Sequence, residues 1–243
     1  MDDRMNQGLQ EFNIGLKELG ISLTDKQYNQ FLKYYELLVE WNKVMNLTAI
    51  TEFNEVVLKH FLDSLSLVKV RRPLGERLLD MGTGAGFPGI PLKIAFPELE
   101  VVLIDSLNKR INFLETVIHE LELSEITAFH GRAEDYGHKD GFRECFDLCV
   151  SRAVAKLSVL SEYCLPYVKI GGYFIPYKSG KLETEVREAE NAVRILGASI
   201  EECEEFLLPG TDMERSLILI HKTKRTPGQY PRTAGKPTKE PIH

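Results

Sequence analysis

A group of glycines flanked by two carboxylates is the part of this sequence whose residue types and spacing best suit ligand binding. The glycines form a G-x-G-x-G turn after an apolar run, and they are Gly82, Gly84 and Gly86. Asp80 lies two residues before the first of them, and Asp105 ends the next apolar run. Glycine lets a backbone adopt positive φ angles and approach a ligand closely. An acid at the place of Asp105 can accept hydrogen bonds from both hydroxyls of a ribose.

The spacing of these glycines argues against the two common phosphate-binding loops. A dinucleotide fingerprint, G-x-G-x-x-G, would need a glycine where this sequence has Phe87, and the Walker pattern is absent. Pro88 and Pro91 lie near the first turn of the following helix, where they remove N–H donors that a pyrophosphate would use. The pattern therefore predicts a site for S-adenosylmethionine, which has no phosphates. A purely structural turn and an NAD site are the alternatives.

Later segments restrict the methyl acceptor mainly by what they lack. The stretch "DLCVSRAVAKL" has no Asn/Asp-Pro-Pro-aromatic motif, which is typical of enzymes that methylate exocyclic amines. Methylation of pyrimidine carbon 5 needs a cysteine nucleophile, but Cys149 and Cys164 follow no proline and are expected to be buried. The histidines form no metal-binding pair, so no metal is predicted. Guanine N7 remains compatible, because its free lone pair needs positioning but no general base.

The apolar pattern predicts an α/β fold around the glycine turn. Strands are predicted near 77–82, 100–105, 126–130, 146–151, 172–177, 201–208 and 215–221. Helices are predicted near 88–96, 107–122, 155–168 and 181–197. This alternation implies a mainly parallel sheet with helices on both faces, as in class I S-adenosylmethionine-dependent methyltransferases with a Rossmann-like sheet. The last two strands flank "LPGTDMER" without a helix, which predicts a terminal antiparallel hairpin.

The sequence before this sheet predicts a helical extension. Apolar residues recur at helical spacing within 9–19, 31–38 and 57–68, and Thr24 is the expected N-cap of the second helix. Pro73 and Gly75 mark a boundary after these helices. The predicted organisation is a helical extension at 1–70, a methyltransferase domain at 71–222 and a C-terminal tail at 223–243.

Charge is distributed unevenly along the chain. The net charge is −6, but residues 221–243 contain six lysines and arginines against Glu240 alone. Four prolines and the lack of periodicity predict that this tail is extended. The four cysteines form no C-x-x-C pair, the N-terminus has no apolar signal-peptide core and no run is long enough to span a membrane. We therefore expect a protein of the reducing cytoplasm.

Several longer motifs are more specific than the glycine turn. They are "WNKVMNLTAI", "KHFLDSL", "LLDMGTGAGFPGIPLKIAFP", "VVLIDSLNKRINFLE", "GRAED", "SRAVAKLSVLSEYCLP" and "RTPGQYPRTAGKPTKEPI". Over nearly its whole length the chain resembles the bacterial glucose-inhibited division protein B family, the small-subunit rRNA guanine-N7 methyltransferases. The resemblance implies an enzyme that methylates N7 of one guanine, nucleotide 527 in the usual numbering, in the decoding region of 16S rRNA. It further implies S-adenosylmethionine without a metal, the small ribosomal subunit as partner, no membrane and no obligate protein partner.

The resemblance and the general fold together assign a set of cofactor-binding residues. They are Gly82, Gly84, Gly86, Phe87, Asp105, Ala133, Glu134 and Arg152. The family pattern implies the glycine turn under the methionine end, Ala133 and Glu134 on the adenosine side, and Arg152 facing the cofactor cleft. The ribose role of Asp105 comes from the general fold. The alternatives are that Phe87 is a core residue, Glu134 a solvated acid and Arg152 a salt-bridge partner.

The basic tail is predicted to bind RNA. Its candidate residues are Lys222, Lys224, Arg225, Tyr230, Arg232, Lys236 and Lys239. Basic side chains neutralise phosphates, and a tyrosine offers a stacking face for a base. The alternative is that the tail packs on the protein itself. Two other functions remain open: an NAD-dependent oxidoreductase, which the glycine spacing and the lack of a catalytic Tyr-x-x-x-Lys disfavour, and a non-catalytic RNA-binding or assembly factor.

Overall fold

One mixed β-sheet organises the residues that the structure, a computed structural model, describes: 3–153, 155–180 and 182–242. Its strands are β1 Arg77–Met81, β2 Glu100–Asp105, β3 Ile126–His130, β4 Phe146–Ser151, β5 Val168–Ser179, β6 Ala198–Leu207 and β7 Glu214–Lys222. They are ordered β3-β2-β1-β4-β5-β7-β6. Strands β1 to β5 pair in parallel, and β7 runs antiparallel between β5 and β6. Met1, Asp2, Val154, Lys181 and His243, which fall in or beside predicted segments, lie outside the described residues.

Helices precede the sheet and cover its two faces. They are α1 Asp3–Glu18, α2 Asp25–Met45, α3 Phe53–Val56, α4 Asp63–Leu65, α5 Gly89–Ala95, α6 Asn108–Glu120, α7 Ala133–Tyr136, α8 Leu157–Cys164, α9 Glu183–Ile195 and α10 Lys236–Lys239. Short 3₁₀ turns follow α4 at Ser66–Lys69 and α8 at Leu165–Tyr167. Within the described ranges, none of these helices is long and apolar enough to cross a membrane.

The predicted fold class is confirmed, including the mainly parallel sheet, the terminal hairpin and the helices that precede the sheet. The clearest difference lies between α8 and β5. The predicted helix over 155–168 ends as an α-helix at Cys164, and β5 begins at Val168, earlier than predicted. Pro166 has no N–H to continue an α-helix, so the chain makes a 3₁₀ turn and enters the strand sooner.

The second helix begins at the predicted N-cap. Thr24 Oγ1 accepts a hydrogen bond from the Gln27 N–H, and the Gln27 side chain accepts one from the Thr24 N–H, at 3.3 and 2.7 Å. This capping box satisfies two donors that a helix start leaves without partners. Gln27 also donates to the carbonyl of Ile94 at the end of α5, so the same residue fixes the helix to the sheet domain.

The third predicted helix is interrupted by a wider turn. Residues Val57–Leu62 between α3 and α4 form a π-helical stretch. Its buried side chains include His60 and Phe61, and the buried Asp63 follows directly. A π-helical turn contains an extra residue and often occurs at functional sites. The irregular stretch sets the directions in which these three side chains point.

Two apolar cores lie on opposite faces of the sheet. The alternation within β1 separates them, since Leu78 belongs to one core and Leu79 to the other. Helices α1 and α2 contribute to the first core, where the rings of Phe12 and Phe31 meet edge to face with centroids 5.1 Å apart. The tail contributes Tyr230 and Ile242 to the second core. The N-terminal helices therefore complete the sheet domain on one face, while the tail packs against the other.

Candidate active site

The glycine turn lies at the carboxyl end of β1, and its backbone conformation requires glycine. The φ angles of Gly82, Gly84 and Gly86 are +72°, +63° and +95°. A Cβ on Gly84 would meet no atom within 4 Å, and one on Gly82 would meet only the Ala153 Cβ at 3.7 Å. A Cβ on Gly86 would instead come within 2.5 Å of Ile90. The first two glycines thus face open space where a ligand can approach the backbone, and the third allows close packing.

Asp80 holds the turn from beneath. Its Oδ2 accepts hydrogen bonds from Thr83 Oγ1 at 2.7 Å and from the Gly89 N–H at 2.8 Å, which joins β1, the turn and the start of α5. Burial raises the pKa of Asp80 to about 6, and the two hydrogen bonds oppose that rise. The other carboxylate oxygen, Oδ1, is buried and has no hydrogen-bond partner among the described residues.

Asp105 joins the end of β2 to the glycine turn. Its Oδ2 accepts the Gly84 N–H at 2.9 Å, and its Oδ1 accepts the Leu107 N–H at 2.9 Å. The guanidinium of Arg110 donates to the same carboxylate at 3.0 Å. This position beside the turn suits the predicted ribose contact, which remains a prediction. A ribose would compete with Arg110, whose side chain is about one-third exposed at 32%.

A cavity of about 770 Å³ opens beside the turn, over the carboxyl ends of β4 and β5. Arg152 and Ala153 form part of its wall, and Ala153 is the neighbour that a Cβ on Gly82 would meet. The wall has more basic than acidic side chains: the bases are Lys59, Arg152, Lys156, Lys178 and Arg215, and the acids are Asp63, Glu185 and Glu188. Since the cavity and the glycine turn share this wall, a molecule in the cavity can lie next to one bound at the turn.

Arg152 reaches across the cavity wall to the π-helical segment. Its guanidinium donates to Asp63 Oδ2 at 2.8 Å and to the Lys59 carbonyl at 3.2 Å. Arg215, from the start of β7, donates to Asp63 Oδ1 at 2.7 Å. One buried carboxylate therefore holds two guanidinium groups. The salt-bridge role considered as an alternative for Arg152 is present, and the same side chain also lines the cavity.

Phe87 lies directly behind the turn in a stack of rings. Its ring is stacked on His60 with centroids 4.5 Å apart, and the Arg152 guanidinium lies 5.1 Å from its centroid. Burial and the charge of Arg152 lower the pKa of His60 to about 3. Both ring nitrogens of His60 are engaged: Nδ1 lies 3.1 Å from the Lys59 carbonyl and 3.3 Å from the Arg152 guanidinium, and Nε2 lies 2.9 Å from Thr48 Oγ1. Phe87 is almost fully buried, which agrees with the alternative that it is a core residue. Its contact with a cofactor remains a prediction.

Comparison with known proteins decides which enzymes this arrangement belongs with. Residues 27–216 match the family model of the rRNA small subunit methyltransferase G. The chain belongs to this family. A protein of that name from Lachnoclostridium phytofermentans is 62% identical over 229 residues, 94% of this chain and 95% of that protein. Another from Desulforamulus reducens is 54% identical over 227 residues, 93% of this chain and 95% of that protein. The resemblance inferred from the motifs is confirmed.

Solved structures agree with the fold of this chain. P. horikoshii TYW2 in complex with MeSAdo has a TM-score of 0.53 and 17% identity, covering 68% of this chain and 63% of that chain. A SAM dependent methyltransferase from Aquifex aeolicus has a TM-score of 0.51 and 18% identity, covering 68% and 92%. At such identities the likeness concerns the fold alone. It supports the predicted class I methyltransferase sheet.

Ala133 and Glu134 lie at the same edge of the sheet as the glycine turn. The Gly131 N–H donates to the Asp105 carbonyl at 3.0 Å, which places the loop before α7 beside β2. Ala133 is buried, and its carbonyl accepts a hydrogen bond from Tyr167. The Glu134 carboxylate accepts the Gly235 N–H from the tail at 3.2 Å. Glu134 is therefore held by the protein rather than fully solvated.

The basic tail residues do not share one exposed surface. Lys222 is fully buried, and its Nζ donates to the Leu165 carbonyl and to Thr226 Oγ1, both at 2.7 Å. Burial lowers the pKa of Lys222 to about 8. Tyr230 is buried, and Arg232 is paired with Glu162. The exposed candidates are Lys224, Arg225, Lys236 and Lys239. The tail packs on the protein, as the alternative proposed, and RNA contact remains a prediction for these four.

Sequence reasoning missed Asp63, His60 and Arg215. The motif "KHFLDSL" contains the first two, and a usable signal was present, because a carboxylate and an imidazole stand there within an apolar helical pattern. Arg215 gave no such signal, since it lies 152 positions from its partner Asp63. Within the described ranges, no group of three or more His, Cys, Asp and Glu side chains could hold a metal ion.

Proposed function

We propose that this protein transfers the methyl group of S-adenosylmethionine to N7 of a single guanine in 16S rRNA, nucleotide 527 in the usual numbering. The observation that carries the proposal is the position of Ala153, which lines the cavity and is also the neighbour that a Cβ on Gly82 would meet. Transfer between two molecules requires them to be held side by side in one geometry. Membership of the methyltransferase G family supports rRNA of the small subunit as the acceptor.

The residues at the turn fit S-adenosylmethionine. Gly82 and Gly84 offer open backbone at positive φ, and Asp105 lies beside them with a carboxylate suited to a ribose. Pro88 and Pro91 leave few N–H groups for a phosphate at the start of α5. When bound, the cofactor supplies an electrophilic methyl group on a sulfonium. The task of the protein is to hold that group facing the cavity.

The chemistry of the cavity wall favours an acceptor that need not lose a proton. Both carboxylate oxygens of Asp63 are bound to arginines, and both ring nitrogens of His60 are engaged. Glu185 accepts Lys178 Nζ and the Leu157 N–H, each at 2.7 Å, and the remaining carboxylate of the wall, Glu188, is exposed on α9. The buried Cys149 and Cys164 do not line the cavity. Guanine N7 suits such a wall, since its lone pair attacks without a general base.

The basic wall also suits an RNA acceptor on an acidic protein. The chain carries a net charge of −6, so nonspecific attraction of RNA by the whole molecule is disfavoured. Lys59 and Arg215 are paired with Glu55 and Asp63, but the five basic side chains of the cavity wall still outnumber its three acids. Local patches of this kind neutralise phosphates and release counterions. The charge therefore attracts the backbone next to the target base rather than RNA in general.

The test uses 16S rRNA and small subunits from cells that lack this protein, incubated with the purified enzyme and labelled S-adenosylmethionine. Borohydride reduction followed by aniline cleaves RNA at N7-methylguanine. We expect label in the rRNA and one new cleavage, at nucleotide 527. Label without cleavage would show another acceptor atom. Cofactor binding without label on either substrate would favour the non-catalytic assembly factor.

A further inference from the structure

The first anchor of the tail is an arginine of the body that donates to several backbone carbonyls. The Arg143 guanidinium donates to Tyr230 O at 2.8 Å, Thr226 O at 2.9 Å and Pro227 O at 3.3 Å in the tail. It also donates to the carbonyl of Gly137, just after α7, at 2.8 Å. One side chain therefore ties the first part of the tail to the end of the helix that carries Glu134.

A second anchor fixes the tail to α8. Arg232 binds Glu162 through two parallel hydrogen bonds, Nε to Oε1 at 2.8 Å and NH2 to Oε2 at 2.6 Å. The Arg232 N–H also donates to Glu162 Oε1 at 2.9 Å. Glu162 is a buried carboxylate, and such two-point arginine pairs are strong and directional. The position of the tail after residue 230 is thus set by α8.

Between these anchors and the end of the tail, one backbone group reaches the candidate cofactor site. Gly235 has a φ of +80° and directs its N–H to Glu134 Oε1 at 3.2 Å. Thr238 Oγ1 lies 3.1 Å from the hydroxyl of Tyr163 on α8, which holds the following turn in place. Glu134 follows the loop that contacts Asp105, so the tail reaches the side of the site opposite the cavity.

We propose that the C-terminal segment 223–242 forms a wall of the cofactor site and positions Glu134 there through the Gly235 N–H. A glutamate at a helix start has several rotamers, and a hydrogen bond from a fixed backbone selects one of them. The segment serves cofactor binding through its packing, whatever its exposed lysines contact. This inference rests on the proposed function only for the identity of the cofactor and for the place of Glu134 beside it.

The test compares cofactor affinity among full-length variants, measured by calorimetry with S-adenosylmethionine and no RNA. Glu134→Ala removes the acceptor, and Glu134→Gln keeps an oxygen for the Gly235 N–H. The double replacement Arg232→Met with Glu162→Gln releases the second anchor without leaving a buried charge unpaired. Thr233→Ala is the matched control, because Thr233 is exposed in the same segment.

We expect Glu134→Ala and the double replacement each to weaken cofactor binding about tenfold, the size expected for a hydrogen bond to a charged group. Glu134→Gln should retain most of the affinity, and Thr233→Ala all of it. Combining Glu134→Ala with the double replacement should add little, because both act through one side chain. The inference would be overturned if the losses of affinity multiplied in the combined variant. It would also be overturned if the double replacement folded and bound the cofactor with unchanged affinity.

Hydrogen exchange of the unaltered protein gives a second measurement that needs no variant. By reciprocity, a segment that strengthens cofactor binding is itself stabilised by the cofactor. Exchange of the Gly235 amide should therefore slow when S-adenosylmethionine is added, and an unchanged rate would overturn the inference. Unaltered protein that fails to bind the cofactor would overturn the proposed function and this inference together. Normal binding with unaffected variants would overturn this inference alone.

Discussion

Two buried titratable side chains border the candidate site and respond to pH in opposite directions. Burial raises the pKa of Asp80 to about 6. The folded protein therefore keeps a proton on Asp80 that the unfolded chain releases, and its stability falls as the pH rises from about 4 to 6. Burial and the neighbouring charge of Arg152 lower the pKa of His60 to about 3. The folded protein therefore loses stability as the pH falls below 6.5, the ordinary pKa of histidine. In the range where both act, the two dependences partly cancel.

The contribution of His60 to the pH dependence of stability can be isolated by comparing the unaltered protein with a variant that lacks this histidine. Below the ordinary pKa of histidine, the unfolded chain binds a proton at His60 that the folded protein does not bind. Stability therefore falls by up to about 1.4 kcal/mol for each unit by which the pH is lowered. We expect the stability difference between the unaltered protein and His60→Gln to shrink with this slope between about pH 6 and pH 4. Denaturant titrations at several pH values provide the measurement. His119→Gln, at an exposed side chain, is the control and should show no such slope.

Gly84 separates conformational strain from ligand contact. An alanine there meets no protein atom but must adopt a φ of +63°, which costs about 1–2 kcal/mol of stability. Gly141 has a φ of +81° and equally open surroundings, away from the site. We expect both alanine variants to lose similar stability, and only Gly84→Ala to weaken S-adenosylmethionine binding at least tenfold in calorimetry. Equal affinities in the two variants would contradict the assignment of the turn.

At the scale of elements, the π-helical stretch Val57–Leu62 links the N-terminal helices to the chemistry of the sheet edge. It carries His60 onto the ring of Phe87 and places Asp63 between Arg152, just after β4, and Arg215 of β7. The helical extension is therefore part of the site wall as well as a cover for one face of the sheet. Its contribution depends on one carboxylate that is almost fully buried.

Replacing Asp63 should affect both stability and the cavity. Asp63→Asn leaves two guanidinium groups near each other without their shared counter-charge. Removing one partner of a buried pair costs about 3 kcal/mol or more, and we expect the lower end because both arginines are partly exposed. Thermal and denaturant unfolding check this value. Asp212→Asn, at an exposed acid in the turn before β7, should change stability by less than about 0.5 kcal/mol.

The order of strands and helices follows from the sequence because each element has a local pattern. The apolar runs of β1 and β2 and the capping box at Thr24 are examples. The end of α8 was misplaced because the apolar pattern continues through Pro166 into β5. The π-helical stretch has no propensity signal, since it arises from packing of buried side chains rather than from local preference.

At the scale of the whole molecule, the tail shows why charge alone is a weak guide to a surface. Six basic residues against one acid favoured an extended tail that binds RNA, yet Lys222 is buried among carbonyl groups and Arg232 pairs with Glu162. The Leu165 carbonyl that accepts from Lys222 and the Glu162 carboxylate that pairs with Arg232 are both far away in sequence, so no local pattern indicates these contacts. The tail has apolar anchors, Tyr230 and Ile242, but their spacing follows neither helical nor strand periodicity.

The exposed and buried lysines of the tail should therefore behave differently with RNA. Lys224→Ala should weaken RNA binding and reduce the slope of log affinity against log salt by roughly 0.7–0.9, the value for one lost phosphate contact. Lys222→Met should leave that slope unchanged and alter protein stability instead, because its Nζ binds only groups of the protein. Filter binding over a range of salt concentrations checks both. A lower slope for Lys222→Met would contradict its structural role.

The π-helical stretch makes this part of the protein sensitive to the number of residues in the chain. Deleting one residue between α3 and α4 would remove the extra residue of the wide turn and let Val57–Leu62 wind as a regular α-helix. Side chains inside the stretch, such as His60 on the ring of Phe87, would then point in new directions, whereas Asp63 beyond it would keep its direction. Exchange of one apolar side chain for another in the same stretch leaves all of these directions unchanged. Insertions and deletions here are therefore more damaging than substitutions.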